Sequence, residues 1–455
     1  MKILPYGGAG EIGGNKILLE TAKARVFLDF GVPFDRGEGI YSGFDYLDPR
    51  GKLGLRDYFE FGMVPEIPGL YSEEALEYTK LKYRSPEFDA LLISHIHCDH
   101  FGDVADVDPE IPVYMGHGAK KLNDTFNTIY YMFKSEDNGN VVEFKSGQSF
   151  RIKDIEVTPV HMDHSIPGAY GFIIRTPEGN IAYTGDYRFH GFKPDMTEDF
   201  IRLAKKTGID WLITEGTRVK SAEDVDFRKK ITEQDVENQF CDTIKKSKGI
   251  TCMQFSFRNV DRVRSLYNAA KRAGKVLLCN PGFAYTIDNA GQLVSGLPEI
   301  RGNRNLKVYK KDGDIPDDEK RFLKYMDPYL DKAVDYKWVK KNLKDVVMFM
   351  TASELSQLID IQPGKGTFVY SMSEHYIEGE EHEDYKACLE NWLDHFGMDF
   401  VQIHCSGHSD MEGVRHMIEG CAPKTVIPVH TQNPEEFKKM HGNVILMERG
   451  KAVKI

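Results

Sequence analysis

The stretch that decides the fold is His95-Ile96-His97-Cys98-Asp99-His100, set directly after the apolar run Ala90-Leu91-Leu92-Ile93-Ser94. The run reads as a buried strand, so three imidazoles and a carboxylate sit within six residues on a loop at a strand end. Imidazole and carboxylate together suit Zn²⁺ or Mn²⁺, and four donors so close can serve two ions at once. One loop cannot complete two coordination shells, so further donors should lie at other strand ends. His164 follows Val157–Val160, Asp186 ends Ala182-Tyr183-Thr184-Gly185, and His430 ends Val426-Ile427-Pro428-Val429.

Outward from this loop the chain has two textures. Up to about residue 215 it reads as short strands divided by Gly-rich turns, including Asn15–Thr21, Arg25–Phe30, Ile155–Pro159 and Ile181–Thr184. From about Val219 to Met398 helix and strand alternate: helices at Gln234–Lys245, Asn259–Arg272 and Tyr385–His395, strands at Ile250–Met253, Lys275–Leu278, Val346–Met350 and Gly366–Tyr370. From Asp399 the strands return, with one helix near Met411–Glu419. The division is therefore 1–218, an inserted α/β unit at 219–398, and 399–455. Two polar stretches, Asp35–Glu74 and Asp312–Glu319, read as loops.

Gly8-Ala9-Gly10-Glu11-Ile12-Gly13 fits the dinucleotide-binding pattern G-x-G-x-x-G, with Asp29 downstream. That pattern needs a helix starting in the glycines, and Asn15-Lys16-Ile17-Leu18-Leu19-Glu20 reads as a strand instead. A hairpin turn is the better account.

The 455 residues are enough for two or three domains. With 41% hydrophobic and 28% charged residues the composition is that of a globular protein. The N-terminus MKILPYGG reads as a strand and not a secretory signal. No apolar run reaches the ~18 residues that span a bilayer, so a cytoplasmic protein with no membrane partner is expected. Seven scattered cysteines without a C-x-x-C pair suggest reduced thiols. A net charge of −11 counts against a protein that coats nucleic acid, but not against a nuclease whose bound cations supply positive charge.

The order H-x-H-x-D-H, then His164, Asp186 and His430, resembles the metallo-β-lactamase superfamily, and Asp29, ending Val26-Phe27-Leu28, matches that family's first, structural carboxylate. Ile213-Thr214-Glu215-Gly216-Thr217, Ile403-His404-Cys405-Ser406-Gly407-His408-Ser409 and His430 resemble motifs A, B and C of its β-CASP group of nucleic-acid nucleases. The likeness extends over nearly the whole chain and is greatest to RNase J and its archaeal relatives, through Gly7–Asn15, His164-Ser165-Ile166-Pro167 and the H-x-S-G-H text. The stretch between Asp29 and His95 is long for the group, Tyr370–His375 departs from its usual text, and the chain stops soon after His430 where RNase J carries a further domain.

The resemblance implies an α/β fold: a metallo-β-lactamase αββα sandwich with an inserted β-CASP α/β domain. It implies two divalent ions, zinc before manganese. His95, His97 and His164 would hold one, Asp99, His100 and His430 the other, and Asp186 would bridge them. His408 would be the general acid, with Glu215 orienting its ring. Ser406 and Gly407 would bind a neighbouring phosphate, favouring 5′-to-3′ exonuclease action with endonuclease action open beside it. Arg258 and Asn259, at a helix start with Arg262 nearby, are candidate phosphate contacts. His161, His190, His375 and His404 read as structural.

The expected function is thus a metal-dependent ribonuclease acting on single-stranded RNA, as monomer or homodimer. The alternatives are a DNA nuclease of the same group, a small-molecule metallo-hydrolase acting on esters, and a non-catalytic scaffold.

Overall fold

The computed structural model describes residues 1–34, 53–129, 137–221, 231–311, 327–379 and 382–455. Residues 35–52 and the acidic stretch at 312–319 lie outside them. Two sheets form the first lobe. One runs Val453–Lys454, Lys2–Gly7, Lys16–Glu20, Arg25–Leu28, Ala90–Ile93, Val113–Gly116 and Val141–Phe144. The other runs Thr425–Val429, Trp211–Glu215, Gly179–Tyr183, Tyr170–Thr176, Ile155–His161 and Phe150–Ile152.

Alternation along the strands puts Ile17, Leu19, Val26, Leu28 and Leu92 inside, against Val157, Phe172, Ile174, Ile181 and Ile427 of the facing sheet. The outer face of the first sheet is covered by the helix His117–Ile129, through Ala119, Leu122 and Phe126. The outer face of the second is covered by Pro194–Thr207 and Met411–Cys421, through Phe200, Ala204, Val414, Met417 and Ile418. The layers are helix, sheet, sheet, helix. Neither His117–Ile129 nor Pro194–Thr207 is expected from a reading of strands and turns, although both carry apolar residues at helical spacing.

A second correction concerns residues 53–74, which read as a polar loop. They hold short helices at Arg56–Glu60 and from Glu73 to Leu76, and Leu55, Val64, Ile67, Leu70 and Tyr71 are buried in the core beneath the first sheet. Five apolar side chains in this stretch outweigh its acidic residues.

The second lobe is a wholly parallel seven-stranded sheet, ordered Ala333–Val334, Leu306–Tyr309, Val276–Cys279, Val346–Phe349, Ile250–Gln254, Gly366–Tyr370 and Met398–Gln402. Its helices cover both faces, Glu233–Lys246 and Val260–Arg272 on one and Glu383–His395 on the other. Met398–Gln402 pairs in register with Gly366–Tyr370, so this sheet ends at Gln402 and not at the expected boundary after Met398. The crossing points meet at a parallel bridge between Arg218 and Asp410.

Gly8–Gly14 turns between two antiparallel strands, as the hairpin reading expects, and no helix begins there. The turn reaches the site, because Gly8 O accepts from His430 N at 2.8 Å. The seven cysteines are free, five of them buried. Among the described residues no helix is long and apolar enough to cross a membrane.

Candidate metal centre

Strand ends build the site. Trp211–Glu215 lies between Gly179–Tyr183 and Thr425–Val429, parallel to both, with Glu215 opposite Val429. Asp186, Glu215 and His430 therefore leave the same edge of the second sheet. Ala90–Ile93 of the first sheet delivers the 95–100 loop to that edge. Its approach depends on Gly31, where a Cβ would lie 1.9 Å from Asp99 C and O and 2.2 Å from His100 N. These are backbone atoms pinned by Phe30 N→His100 O and Val32 N→Cys98 O, both 2.8 Å. Gly31→Ala is expected to lower stability by about 3 kcal/mol, the upper end for forced overpacking, and to reduce metal uptake. Urea unfolding and metal analysis check this; an unchanged midpoint and metal content would show that the loop can shift freely.

Three groups of donors result among the described residues, each with ligand atoms within 4.8 Å of one another: His95, His97, His164 and Asp186; Asp99, His100, Asp186 and His430; and Asp186, Glu215, His408 and His430. Their hydrogen bonds assign the tautomers. Ser94 Oγ donates to Asp29 at 2.7 Å and so accepts from His95 Nδ1 at 3.0 Å, which leaves His95 Nε2 a bare lone pair. His164 Nδ1 donates to Gly407 O at 2.7 Å, leaving its Nε2 bare as well. These two lone pairs lie 3.1 and 3.0 Å from His97 Nδ1, which can offer one proton at most. Burial, with repulsion between the rings, holds His95 and His164 well below the usual histidine range and His97 down to about 4. Neutral imidazoles with converging lone pairs are the form a metal requires.

The second group is ordered by its neighbours in the same way. Thr217 Oγ1 donates to Glu215 at 2.6 Å and accepts from His430 Nδ1 at 2.8 Å, so His430 Nε2 faces Asp99 Oδ2 at 2.9 Å with a lone pair. His100 Nδ1 donates to Asp29 at 2.7 Å, and its Nε2 is buried without a hydrogen bond. Both carboxylate oxygens of Asp186 are likewise buried and unbonded. Burial opposes charge on His100 and Asp186. Even so, Asp186, Asp99 and Asp29 raise His100 well above the usual range, and His100, His430 and His408 hold Asp186 well below the carboxylate range. A buried carboxylate shared between donor groups, with neither oxygen hydrogen-bonded, fits bound divalent cations.

Asp29 anchors the supporting layer. Its fully buried carboxylate accepts from Ser94 N (2.6 Å), Ser94 Oγ (2.7 Å), His100 (2.7 Å) and Tyr183 OH (2.5 Å). Asp29 and His430 both hold left-handed backbone, φ 57° and 52°, strain of the kind that collects at functional sites.

His408 lies beside the donors and partly faces solvent. Its Nδ1 is 3.1 and 3.2 Å from the Glu215 oxygens and 3.6 Å from Asp186. Burial works against its charge, but Glu215 and then Asp186 push it up to about 9. Glu215 is itself fixed by Tyr187 N at 2.9 Å and by Thr217.

Three comparisons with known proteins bear on this geometry. Residues 67–238, which carry every candidate donor except His430 and His408, match the family described as Beta-lactamase superfamily domain. Residues 397–437 match the Zn-dependent metallo-hydrolase RNA specificity domain. Ribonuclease J of Pyrococcus abyssi is 24% identical, over 94% of this chain and 89% of its own length. That of Mycoplasma genitalium is 23% identical, over 96% of this chain and 68% of its own. Together these matches support a metallo-β-lactamase chain of the β-CASP, RNase J-like kind. A crystal structure of an Enterococcus faecalis protein of unknown function shares this β-CASP fold, with TM-score 0.76 and 22% identity over 99% of each chain.

The expected substrate contacts divide. Gly407 and Ser406 sit against the centre: Gly407 O receives His164, and Ser406 Oγ accepts from His408 N at 3.0 Å. Arg258 lies over the Phe126 ring at 4.8 Å and near enough to Cys98 to lower its thiol, though burial raises it more. Asn259 caps its helix, with Oδ1 accepting from Arg262 N at 3.1 Å. Arg262 corrects the expectation that it lies open to phosphate: it is fully buried and paired with Glu233 at 2.7 Å. His404 and His190 are pushed down to about 3 and about 4 by burial, then by Arg262 and Arg188 respectively. Thr217, Ser94, Tyr183 and Arg188 have no role in the sequence reading, yet each orders a donor or its loop.

Proposed function

We propose that the protein is a metal-dependent ribonuclease of the RNase J type, degrading single-stranded RNA from a 5′-monophosphate end. The observation that carries this is His408: a partly exposed imidazole beside two metal-type donor groups, held by Glu215, just where the chain returns from the second lobe. A small-molecule hydrolase needs no such proton donor at the junction with an inserted lobe. The relatives named Ribonuclease J match over nearly the full chain, which supports RNA as substrate.

Asp186 would be shared between two ions, one with His95, His97 and His164, the other with Asp99, His100 and His430. Such ions would supply a nucleophile at neutral pH by lowering the pKa of water towards ~7, and would offset phosphate charge. The protein's own part is to place the proton. With Nδ1 turned to Glu215, His408 Nε2 is the atom free to protonate the leaving 3′ oxygen. Ser406 and Gly407 would hold the adjoining phosphate. The same proposal divides the chain into a sandwich of 1–218 and 403–455 and an inserted lobe between them, working in the cytoplasm.

The test is degradation of end-labelled RNA carrying 5′-monophosphate, 5′-triphosphate or 5′-hydroxyl, with Zn²⁺ or Mn²⁺, after chelation, and beside single-stranded DNA. Stepwise release of mononucleotides from the monophosphate substrate, lost on chelation, is expected. No cleavage of any nucleic acid by protein with full metal content would move the small-molecule hydrolase to first place.

A further inference from the structure

A chain of buried ions joins the two lobes beneath the metal centre. Arg188, two residues after Asp186, is fully buried. Its Nη2 meets Asp261 at 2.6 Å, on the second lobe's helix Val260–Arg272. Its Nε meets Asp163 at 3.3 Å, its Nη1 donates to Ser406 O at 3.4 Å, and Glu233 lies 3.6 Å away. Glu233 in turn binds Arg262, whose Nη1 reaches Ser371 O at 3.0 Å and whose Nη2 reaches Cys405 O at 3.2 Å. The fit around Arg188 is close: a Cβ on Gly191 would lie 2.4 Å from both Asp163 oxygens.

Buried ion pairs are a costly way to gain stability, since apolar replacements of equal volume do as well or better. What the planar guanidinium adds is direction, holding several acceptors in fixed relation. Those acceptors belong to the loops of the site. Asp163 precedes His164. The Ser406 carbonyl, also bound by His190 at 2.8 Å, lies next to Gly407, whose carbonyl fixes the His164 tautomer, and His408 follows.

We infer that Arg188 is a positioning residue: one guanidinium sets the spacing of the His164 loop, the His408 loop and the second lobe. Its catalytic consequence rests on the ribonuclease reading, but its structural consequence does not.

Arg188→Lys keeps the charge but replaces the planar fork, which reaches four partners, with one compact ammonium. Asp261→Asn weakens the shorter of the two links from Arg188 to the second lobe, leaving Glu233 in place, and serves where the lysine variant does not fold. In Arg188→Lys, hydrogen exchange should quicken at 161–166 and 404–409 and stay unchanged in Ile250–Gln254 and Thr425–Val429. Its kcat on RNA should fall about 10²-fold with KM little altered, as for misplaced reacting groups. Asp261→Asn should lose about 10-fold, as outer-layer partners do. Unchanged kcat in a folded variant, or faster exchange throughout the chain, would overturn the inference. Should the wild-type protein not cleave RNA, the ribonuclease reading falls, and local exchange at the two loops still decides the role of Arg188.

Discussion

Asp186→Asn is expected to abolish tight metal uptake and to lower RNA cleavage about 10⁴-fold, the upper end for one catalytic side chain. The substitution changes charge and almost nothing in shape. Asp186 Oδ2 lies 3.2 Å from His100, 3.6 Å from His95 and His408, and 3.9 Å from His164, with neither oxygen hydrogen-bonded. A buried carboxylate without donors is tolerated only where positive charge offsets it. It is the one residue common to all three donor groups, so its loss weakens each of them. An asparagine would also turn N–H donors towards imidazole lone pairs that metal would otherwise use. Zinc content after equilibrium dialysis, measured beside initial rates on RNA, checks this. A variant with the full zinc complement and activity within tenfold of wild type would remove Asp186 from the shared position.

What could be read from sequence follows the range of the interactions. The 95–100 loop is legible because its donors are neighbours in the chain. His164, Asp186 and His430 are legible because each ends an apolar strand, and strands deliver their ends to one edge. The supporting contacts are not: Tyr183 meets Asp29 across 154 residues and Thr217 meets His430 across 213. No local pattern marks a hydroxyl that will finish beneath a distant imidazole. Arg262 reads as a surface cation near a helix start, since nothing nearby reveals that Glu233 will enclose it. The helix His117–Ile129 is a different kind of miss. Ala119, Leu122 and Phe126 do carry the helical period, but Gly116 before it and Gly118 in its first turn suggest another turn. Met398–Gln402 is legible as a strand but not as a member of the second sheet, since a mostly half-buried edge strand fits the rim of either sheet equally well.

His408→Ala is expected to lower kcat on RNA by 10²–10⁴-fold, the range of a general acid, while zinc content stays at the wild-type level. The two effects separate because His408 is hydrogen-bonded to Glu215 and set back 3.6 Å from Asp186. Its ring can be removed without taking a partner from His95, His97 or His100. Glu215→Gln should lose activity in the same direction, since it keeps the shape but not the charge that opposes the cost of burying protonated His408. The discriminating arm is the leaving group. A 3′ alkoxide needs a proton as it departs, whereas p-nitrophenolate does not. A nucleotide p-nitrophenyl ester should therefore be cleaved by His408→Ala within about tenfold of the wild-type rate, against the larger loss on RNA. Equal loss on both substrates would mean that His408 binds phosphate or orders the centre, and the proton would have to come from elsewhere.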